Sequence, residues 1–126
     1  MSRPVVVAAC VLSFVAGIGA TTFQQGRASR REPQFENEQM KVWKSIIEPN
    51  QPLTQHRHEH GRALIALTDG VADVVDPSGK VLSTYKWEKG KAYWLDVDAP
   101  NTTHADVNKS GKTIEVIVVE LKKDQP

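Results

Sequence analysis

The stretch RALIALTDGVADVVDPSGKVLSTYKW, residues 62–87, decides the fold class of this chain. Short runs rich in β-branched and aromatic residues alternate here with the turn sequences Asp69-Gly70 and Pro77-Ser78-Gly79. Glycine in such sequences takes the positive φ that tight hairpin turns require. The stretch therefore predicts successive β-strands that pair antiparallel.

The same texture continues on both sides of this stretch. Further runs of strand type, separated by turn residues, occupy residues 41–48, 92–97, 104–107 and 113–121. No segment after residue 40 has a sustained helical period. The last run, TIEVIVVEL, is the most apolar, which is typical of a central strand. We therefore predict a single all-β domain, a sandwich or barrel, over residues 41–123.

The N-terminal residues have a different character. Residues 4–26 carry no charged side chain, and VVVAACVLSFVAGIGA at 5–20 is apolar enough to enter a bilayer, with Arg3 before it and Arg27 after it. We predict an apolar helix over residues 1–26 that is a signal peptide or a membrane anchor. Cleavage after Gly19 or after Ala20 leaves imperfect flanking residues, so both alternatives stay open.

The polar stretch that follows has almost no aliphatic residues. It cannot bury enough apolar surface to fold alone, so residues 27–40 are predicted to be a linker. Together the two N-terminal segments predict a domain of the cell envelope. It is either periplasmic or secreted, or it is anchored by a single N-terminal transmembrane helix.

Charge and cysteine content exclude several classes of function. The chain has 16 Lys and Arg against 15 Asp and Glu, a net charge of +1, so no global field attracts nucleic acid. Its one cysteine, Cys10, excludes an intrachain disulfide and a cysteine-rich zinc site. The sequence has no glycine-rich phosphate loop and no nucleophile elbow. Any metal site must therefore use histidine, carboxylate and water.

The histidines form the clearest candidate site. His56, His58 and His60 fall within five positions, and His104 is the remaining one. In an extended strand the first three share one face, opposite Arg57 and Glu59. Imidazoles at i and i+2 can converge on one ion, and His104 can join them from a later antiparallel strand. A solvent-facing polar cluster is the alternative.

The order of these residues resembles the two motifs of the cupins. His56-Arg57-His58 is followed by Gly70, by Gly90, and then by His104-Ala105-Asp106-Val107-Asn108. The resemblance covers residues 45–122 and extends to small single-domain bacterial cupins. It implies a compact antiparallel β-barrel, or jelly roll. It also implies one divalent metal ion, which can be iron, zinc or manganese, held by three histidines and a glutamate.

Carried over by position, the metal ligands are His56, His58 and His104. The glutamate expected five residues after the second histidine is replaced by Ala63. Glu59 or His60 can substitute as an additional ligand if the strand carries a bulge. Zinc and iron(II) also bind some sites that are built from histidine alone.

Other side chains near these motifs have a functional and a structural interpretation each. Arg57 and Arg62 can hold an anionic substrate, or they can lie on the outer face. Asp96 and Asp98 can act in acid–base chemistry, or they can be solvated loop residues. The aromatic residues can stack on a ligand or pack across strands; they are Trp87, Tyr93 and Trp94.

Two functions remain after these exclusions. The first is a metal-dependent protein of the cell envelope that acts on a small organic substrate through a three-histidine centre. The second is a small-molecule-binding or sensing module that uses the same cavity without metal or catalysis. Whether the chain is an enzyme stays open. A homodimer is a further prediction, with VWKSIIE at 42–48 as the partner-facing strand.

Overall fold

The structure is a computed structural model that describes residues 27–123. The segment predicted to be a signal peptide or anchor, 1–26, lies outside the described residues. Within 27–123 no helix has the length and hydropathy needed to cross a membrane. The elements of this part are β1 (Arg30–Glu36), β2 (Met40–Ile47), β3 (Arg62–Ala66), β4 (Gly70–Val75), β5 (Val81–Trp87), β6 (Ala92–Leu95), β7 (Ala105–Asn108) and β8 (Ile114–Leu121).

These strands form two sheets, and every strand pair is antiparallel. The larger sheet has the order β1-β2-β8-β3-β6, and the smaller has the order β5-β4-β7. The predicted all-β fold is therefore confirmed, and β8 lies in the middle of its sheet as its apolar sequence predicted. Because β1 and β8 flank β2, the strand predicted to face a partner has no free edge. The homodimer itself stays a prediction.

The predicted linker is wrong for Arg30–Glu36, because this segment forms β1. It pairs with β2 from Arg30 opposite Ile46 to Glu36 opposite Lys41, with an irregularity between Pro33 and Phe35. An edge strand can be held by backbone hydrogen bonds without burying many side chains, so its polar sequence gave no signal. The guanidinium of Arg31 also lies 5.5 Å from the centre of the Trp43 ring.

The two turn predictions had different outcomes. Gly79 takes a φ of 89°, and β4 pairs with β5 as a hairpin, which confirms the turn at Pro77-Ser78-Gly79. The hairpin predicted at Asp69-Gly70 is wrong, because the chain crosses there from the larger sheet to the smaller one. Gly70 is needed for space instead: a Cβ on it would lie 2.5 Å from Ile114.

The apolar core fills the space between the sheets. Ile47 and Ile114 are opposite each other on β2 and β8, and both are almost completely buried. Trp87 packs into the same cluster from β5. Farther along β8, Glu120 is opposite Arg62. The barrel thus has an apolar end at Ile114 and a polar end at Glu120, and the histidines lie near the polar end.

Candidate metal centre

His56 and His104 are held face to face by the backbone. They form an isolated antiparallel bridge in which each N–H donates to the other residue's carbonyl, at 2.8 Å in both directions. His58 lies two residues beyond His56, so it shares that side of the extended chain. The ligand nitrogens of His56, His58 and His104 all lie within 4.8 Å of one another. The structure therefore brings together the three histidines that the sequence singled out.

The three imidazole rings converge on one region. Ring centres are 4.8 Å apart for His56 and His58, 4.5 Å for His56 and His104, and 5.5 Å for His58 and His104. The first two pairs meet edge to face, and the ring of His58 lies parallel to Trp43 with centres 6.1 Å apart. Packing of this kind limits how far each ring can rotate.

Each ring also has an oxygen beside its Nδ1. The Nδ1 of His56 lies 2.7 Å from the carbonyl of Thr54, and that of His58 lies 2.5 Å from Glu120 Oε1. The Nδ1 of His104 lies 3.4 Å from Asp98 Oδ2. An oxygen beside Nδ1 favours the tautomer that carries its proton on Nδ1, so that Nε2 keeps a lone pair for a metal ion. Ligand histidines in metal sites are oriented in this way.

The fit to a metal ion rests on one atom. The Nε2 of His56 is buried and has no hydrogen-bond partner among the described residues. Burial lowers the pKa of His56 to about 3, so this nitrogen keeps its lone pair at neutral pH. A buried acceptor without a partner is costly and uncommon in folded proteins. With His58 and His104, His56 forms a donor set of three imidazoles, which suits zinc or iron, and the carboxylate of Asp106 nearby also suits manganese.

Asp106 belongs to the same site, although the sequence analysis did not select it. It lies two residues after His104 on β7, and its Oδ2 is 3.7 Å from His56 Nε2. Burial raises the pKa of Asp106, while the neighbouring imidazoles and guanidinium groups oppose this rise. The alternation of His104 and Asp106 along one strand face was the signal for it in the sequence.

Three cavities lie against this cluster, and one of them, of about 260 Å³, is lined by His58 and Glu120. An interior cavity of about 30 Å³ is lined by His56, His58, Arg62 and Asp106 among other residues. It has room for an ion or for one or two water molecules and is too small for an organic substrate. A third cavity of about 240 Å³ is lined by His104 and Arg62 together with residues of β4 and β5. Only the cavities of a few hundred Å³ have room for a small organic molecule.

Solved structures share this architecture. A cupin domain from Bordetella pertussis Tohama I has 22% sequence identity and a TM-score of 0.65, and the match covers 79% of this chain and 98% of that one. This chain has the cupin fold. An RmlC-like cupin protein from Methanocaldococcus jannaschii has 12% identity and a TM-score of 0.57, with 78% and 84% of the two chains covered.

A protein from Klebsiella pneumoniae with a double-stranded β-helix domain is similar at 18% identity and a TM-score of 0.55, with 77% of this chain and 79% of that chain covered. No protein-family model and no curated protein matches the sequence. At these identities the likeness concerns the fold alone. The cupin resemblance seen in the sequence motifs is thereby confirmed, and the chemistry has to be argued from the site itself.

Glu59 and His60 do not join the group formed by His56, His58 and His104. The chain bends at these two residues, which breaks the alternation that placed His60 with His56 and His58. The side chain of Glu59 is 76% exposed and lies 4.0 Å from Arg57. The additional ligands predicted for a bulged strand are therefore not brought to the site.

Arg62, rather than Ala63, occupies the inward position on β3. Arg62, Leu64 and Ala66 are buried, whereas the residues between them are partly exposed. The residue expected to be the cupin glutamate is thus on the outer side of the strand. The sequence alternative that placed Arg62 on the outer face is wrong, because only 6% of this residue is exposed.

Of the other residues considered in the sequence, some contact the histidine site and some only support the fold. Asp98 is part of the site, because its Oδ2 accepts the backbone N–H of His58 at 2.6 Å. Asn108, which ends the second cupin motif, is completely buried and donates to the carbonyls of Ile47 and Lys112. It therefore supports the β7–β8 connection. Trp87 is a core residue, as the packing alternative predicted.

Proposed function

We propose that this cupin domain binds one divalent transition metal ion through His56, His58 and His104. The observation that carries the proposal is the buried Nε2 of His56, which has no hydrogen-bond partner among residues 27–123. Two further imidazoles lie close to it, and their ligand nitrogens are within 4.8 Å. Imidazole ligands suit iron and zinc, and the nearby carboxylate of Asp106 suits manganese, so the site favours no single one of these metals.

The carboxylates around the centre have separate roles in this proposal. Glu120 and Asp98 hold the rings of His58 and His104 from their Nδ1 sides. Asp106 is the acidic group on the Nε2 side of His56, and it compensates for the glutamate replaced by Ala63. A bound divalent ion supplies Lewis acidity for polarising a substrate oxygen.

We further propose that the ion serves a reaction on a small organic substrate. The cavity of about 240 Å³ beside His104 supports this, because it offers a substrate a place next to the centre. Substrate there contacts the edge of the site while His56 and His58 remain in the interior. This arrangement lets the chain bind and orient a substrate without displacing any of the three histidines.

Metal content of the full-length protein tests the centre. The protein is purified without a histidine tag, and the metal is quantified by elemental analysis beside the variants His104→Ala and His60→Ala. We expect close to one equivalent of a transition metal in the wild type and in His60→Ala, and its loss in His104→Ala. Equal metal content in all three proteins, or no metal after incubation with iron(II), zinc and manganese, would contradict the proposal.

A metal-free binding or sensing module is the second candidate function. Two observations favour it: Ala63 stands where the resemblance implies a glutamate, and Arg62 places a positive charge beside the histidines. A guanidinium there disfavours a second cation by repulsion. Ligand-induced stabilisation of a protein that contains no metal would support this candidate over the first.

We also propose that the domain acts in the cell envelope, as the apolar segment 1–26 predicts. Support comes from the sequence alone. A reporter fused to the C-terminus, active only outside the cytoplasm, tests it. An inactive reporter together with full protection from external protease would contradict the proposal.

A further inference from the structure

Arg62 is a buried arginine on the inward face of β3. The residue is 6% exposed, and its one described hydrogen bond runs from Nη1 to the backbone carbonyl of Asp96 at 3.1 Å. Among residues 27–123, Arg62 forms no ion pair with a carboxylate, although its charge acts on the nearby Asp106. Arginine is almost never buried unless it is paired, because removing its charge from water is expensive. Most of the N–H donors of this guanidinium are therefore available to an anionic ligand.

The larger of the two cavities that Arg62 lines offers a place for that partner. Arg62 forms part of both the interior cavity and the cavity of about 240 Å³ beside His104. The larger cavity has apolar walls from Val74, Leu82 and Tyr85, and hydroxyl residues form part of its polar lining. Asp98 also lines it, but the Oδ2 of that carboxylate already accepts the backbone N–H of His58 and lies 3.4 Å from His104 Nδ1. A ligand that fits it has a small apolar body and a charged end.

We infer that Arg62 binds the carboxylate of a small organic acid in this cavity, next to His104. A guanidinium presents its donors in a planar fork that matches a carboxylate, and one hydrogen bond to a backbone carbonyl leaves other donors available. The inference rests on the proposed function, since it names the substrate class of that centre. It assigns Arg62 a binding role that lysine cannot fully replace.

Arg57 is the matched control. It lies five residues earlier, and its side chain is 28% exposed, with contacts to Glu59 and to the carbonyl of Ala99. Arg57 lines a different cavity, beside His58 and Glu120. Replacing it removes the same charge from the same region of the chain. Arg57 does not itself line the cavity of Arg62 and reaches it only through the carbonyl of Ala99.

Calorimetric titration of the zinc-loaded, full-length protein tests the inference, with benzoate and its uncharged isostere benzamide as probes. We expect benzoate to bind at least about tenfold more tightly than benzamide. Arg62→Gln should weaken benzoate binding by about 10- to 100-fold, the range for hydrogen bonds to charged groups. Arg62→Lys should restore part of the loss, and Arg57→Gln should bind like the wild type.

Several results would overturn the inference: no benzoate binding by the wild type, equal affinity for benzamide, equal binding by Arg62→Gln, or tighter binding of inorganic phosphate. If Arg62→Gln does not fold, the inference is still tested by the affinity of the wild type for benzoate against benzamide and by the affinity of Arg62→Lys for benzoate. Zinc content is measured on each sample. If the protein retains zinc but its benzoate binding does not depend on Arg62, only this inference is refuted. If the protein takes up no zinc but still binds benzoate through Arg62, only the metal centre is refuted.

Discussion

At the Ile114 end of the barrel, apolar side chains leave so little space that Gly70 has no room for a Cβ. At the Glu120 end, a small interior cavity is lined by two imidazoles, two guanidinium groups and the carboxylate of Asp106. Both ends share the strand β8, and both are built on the same antiparallel register. The difference shows that one end maintains the fold while the other carries polar groups that the fold alone does not require.

The largest effect is expected from emptying the apolar end. Ile114 is completely buried, so Ile114→Ala should lower the free energy of unfolding by about 2–5 kcal/mol through lost burial and a cavity. Urea denaturation measures this. Ile117→Ala on the same strand is the control, because Ile117 is only partly buried and should cost less. The folded fraction of Ile114→Ala should keep its metal, and loss of metal from it would show that the two ends are not independent.

At the polar end, Glu120→Gln should weaken metal binding by about 10- to 100-fold, with little change in the cooperativity of unfolding. The cause is loss of the negative charge that lies 2.5 Å from Nδ1 of His58. Competition with a chelator gives the affinity. Glu115 is on the same strand as Glu120 and forms an ion pair with Lys44 of β2, so Glu115→Gln should leave the metal affinity unchanged. An unchanged affinity in Glu120→Gln would mean that this carboxylate has no part in the centre.

In the metal-free protein, a lower pH should reduce the free energy of unfolding through the polar end of the barrel. The pKa of His56 is lowered to about 3 in the folded state, below its unfolded value of about 6.5, because the ring is buried. Below pH 6.5 the unfolded state therefore binds a proton that the native state does not, and stability falls. The loss attributable to His56 should reach about 2 kcal/mol at pH 5.

Urea denaturation at pH 7 and pH 5 measures this effect, and the wild type is compared with His56→Gln. The difference between the two proteins isolates His56 from Asp106, whose raised pKa acts in the opposite direction. The same pH dependence in both proteins would show that burial of this ring does not set the stability in acid.

The smallest effect concerns two glycines, one at each end. A Cβ at Gly61 would lie 2.2 Å from Trp94, but Trp94 is 56% exposed and can swing away, so Gly61→Ala should cost about 1 kcal/mol or less. At Gly70 the obstacle is the buried Ile114, so Gly70→Ala should cost about 1–3 kcal/mol. Thermal denaturation of both variants checks the order, and a reversed order would contradict the tight packing assigned to the apolar end.

Local patterns in the sequence were enough to predict much of this molecule. Alternation and turn residues located β2 to β8, and the spacing of His56, His58 and His104 anticipated their meeting. Asp106 was within reach of the same alternation. Glu120 was not, because its contact with His58 depends on the register of strands whose residues are 62 positions apart.

The failures have equally definite causes. β1 was not predicted because its sequence is polar, and an edge strand can be held by backbone hydrogen bonds whatever its side chains are. Asp69-Gly70 reads as a hairpin locally, but contact with Ile114 across the core decides what Gly70 does. Which side chains of β3 point inward depends on the register of the strand. A shift of that register by one residue would turn Ala63 inward and Arg62 outward.

The position of β8 has a consequence for synthesis on the ribosome. It is the last of the described strands, yet it lies between β2 and β3. Until it emerges, the nascent chain holds two strands with an open edge each, and Glu120 has not reached His58. The site and the larger sheet are therefore completed together, only after β8 has emerged, and the earlier strands stay exposed to aggregation until then.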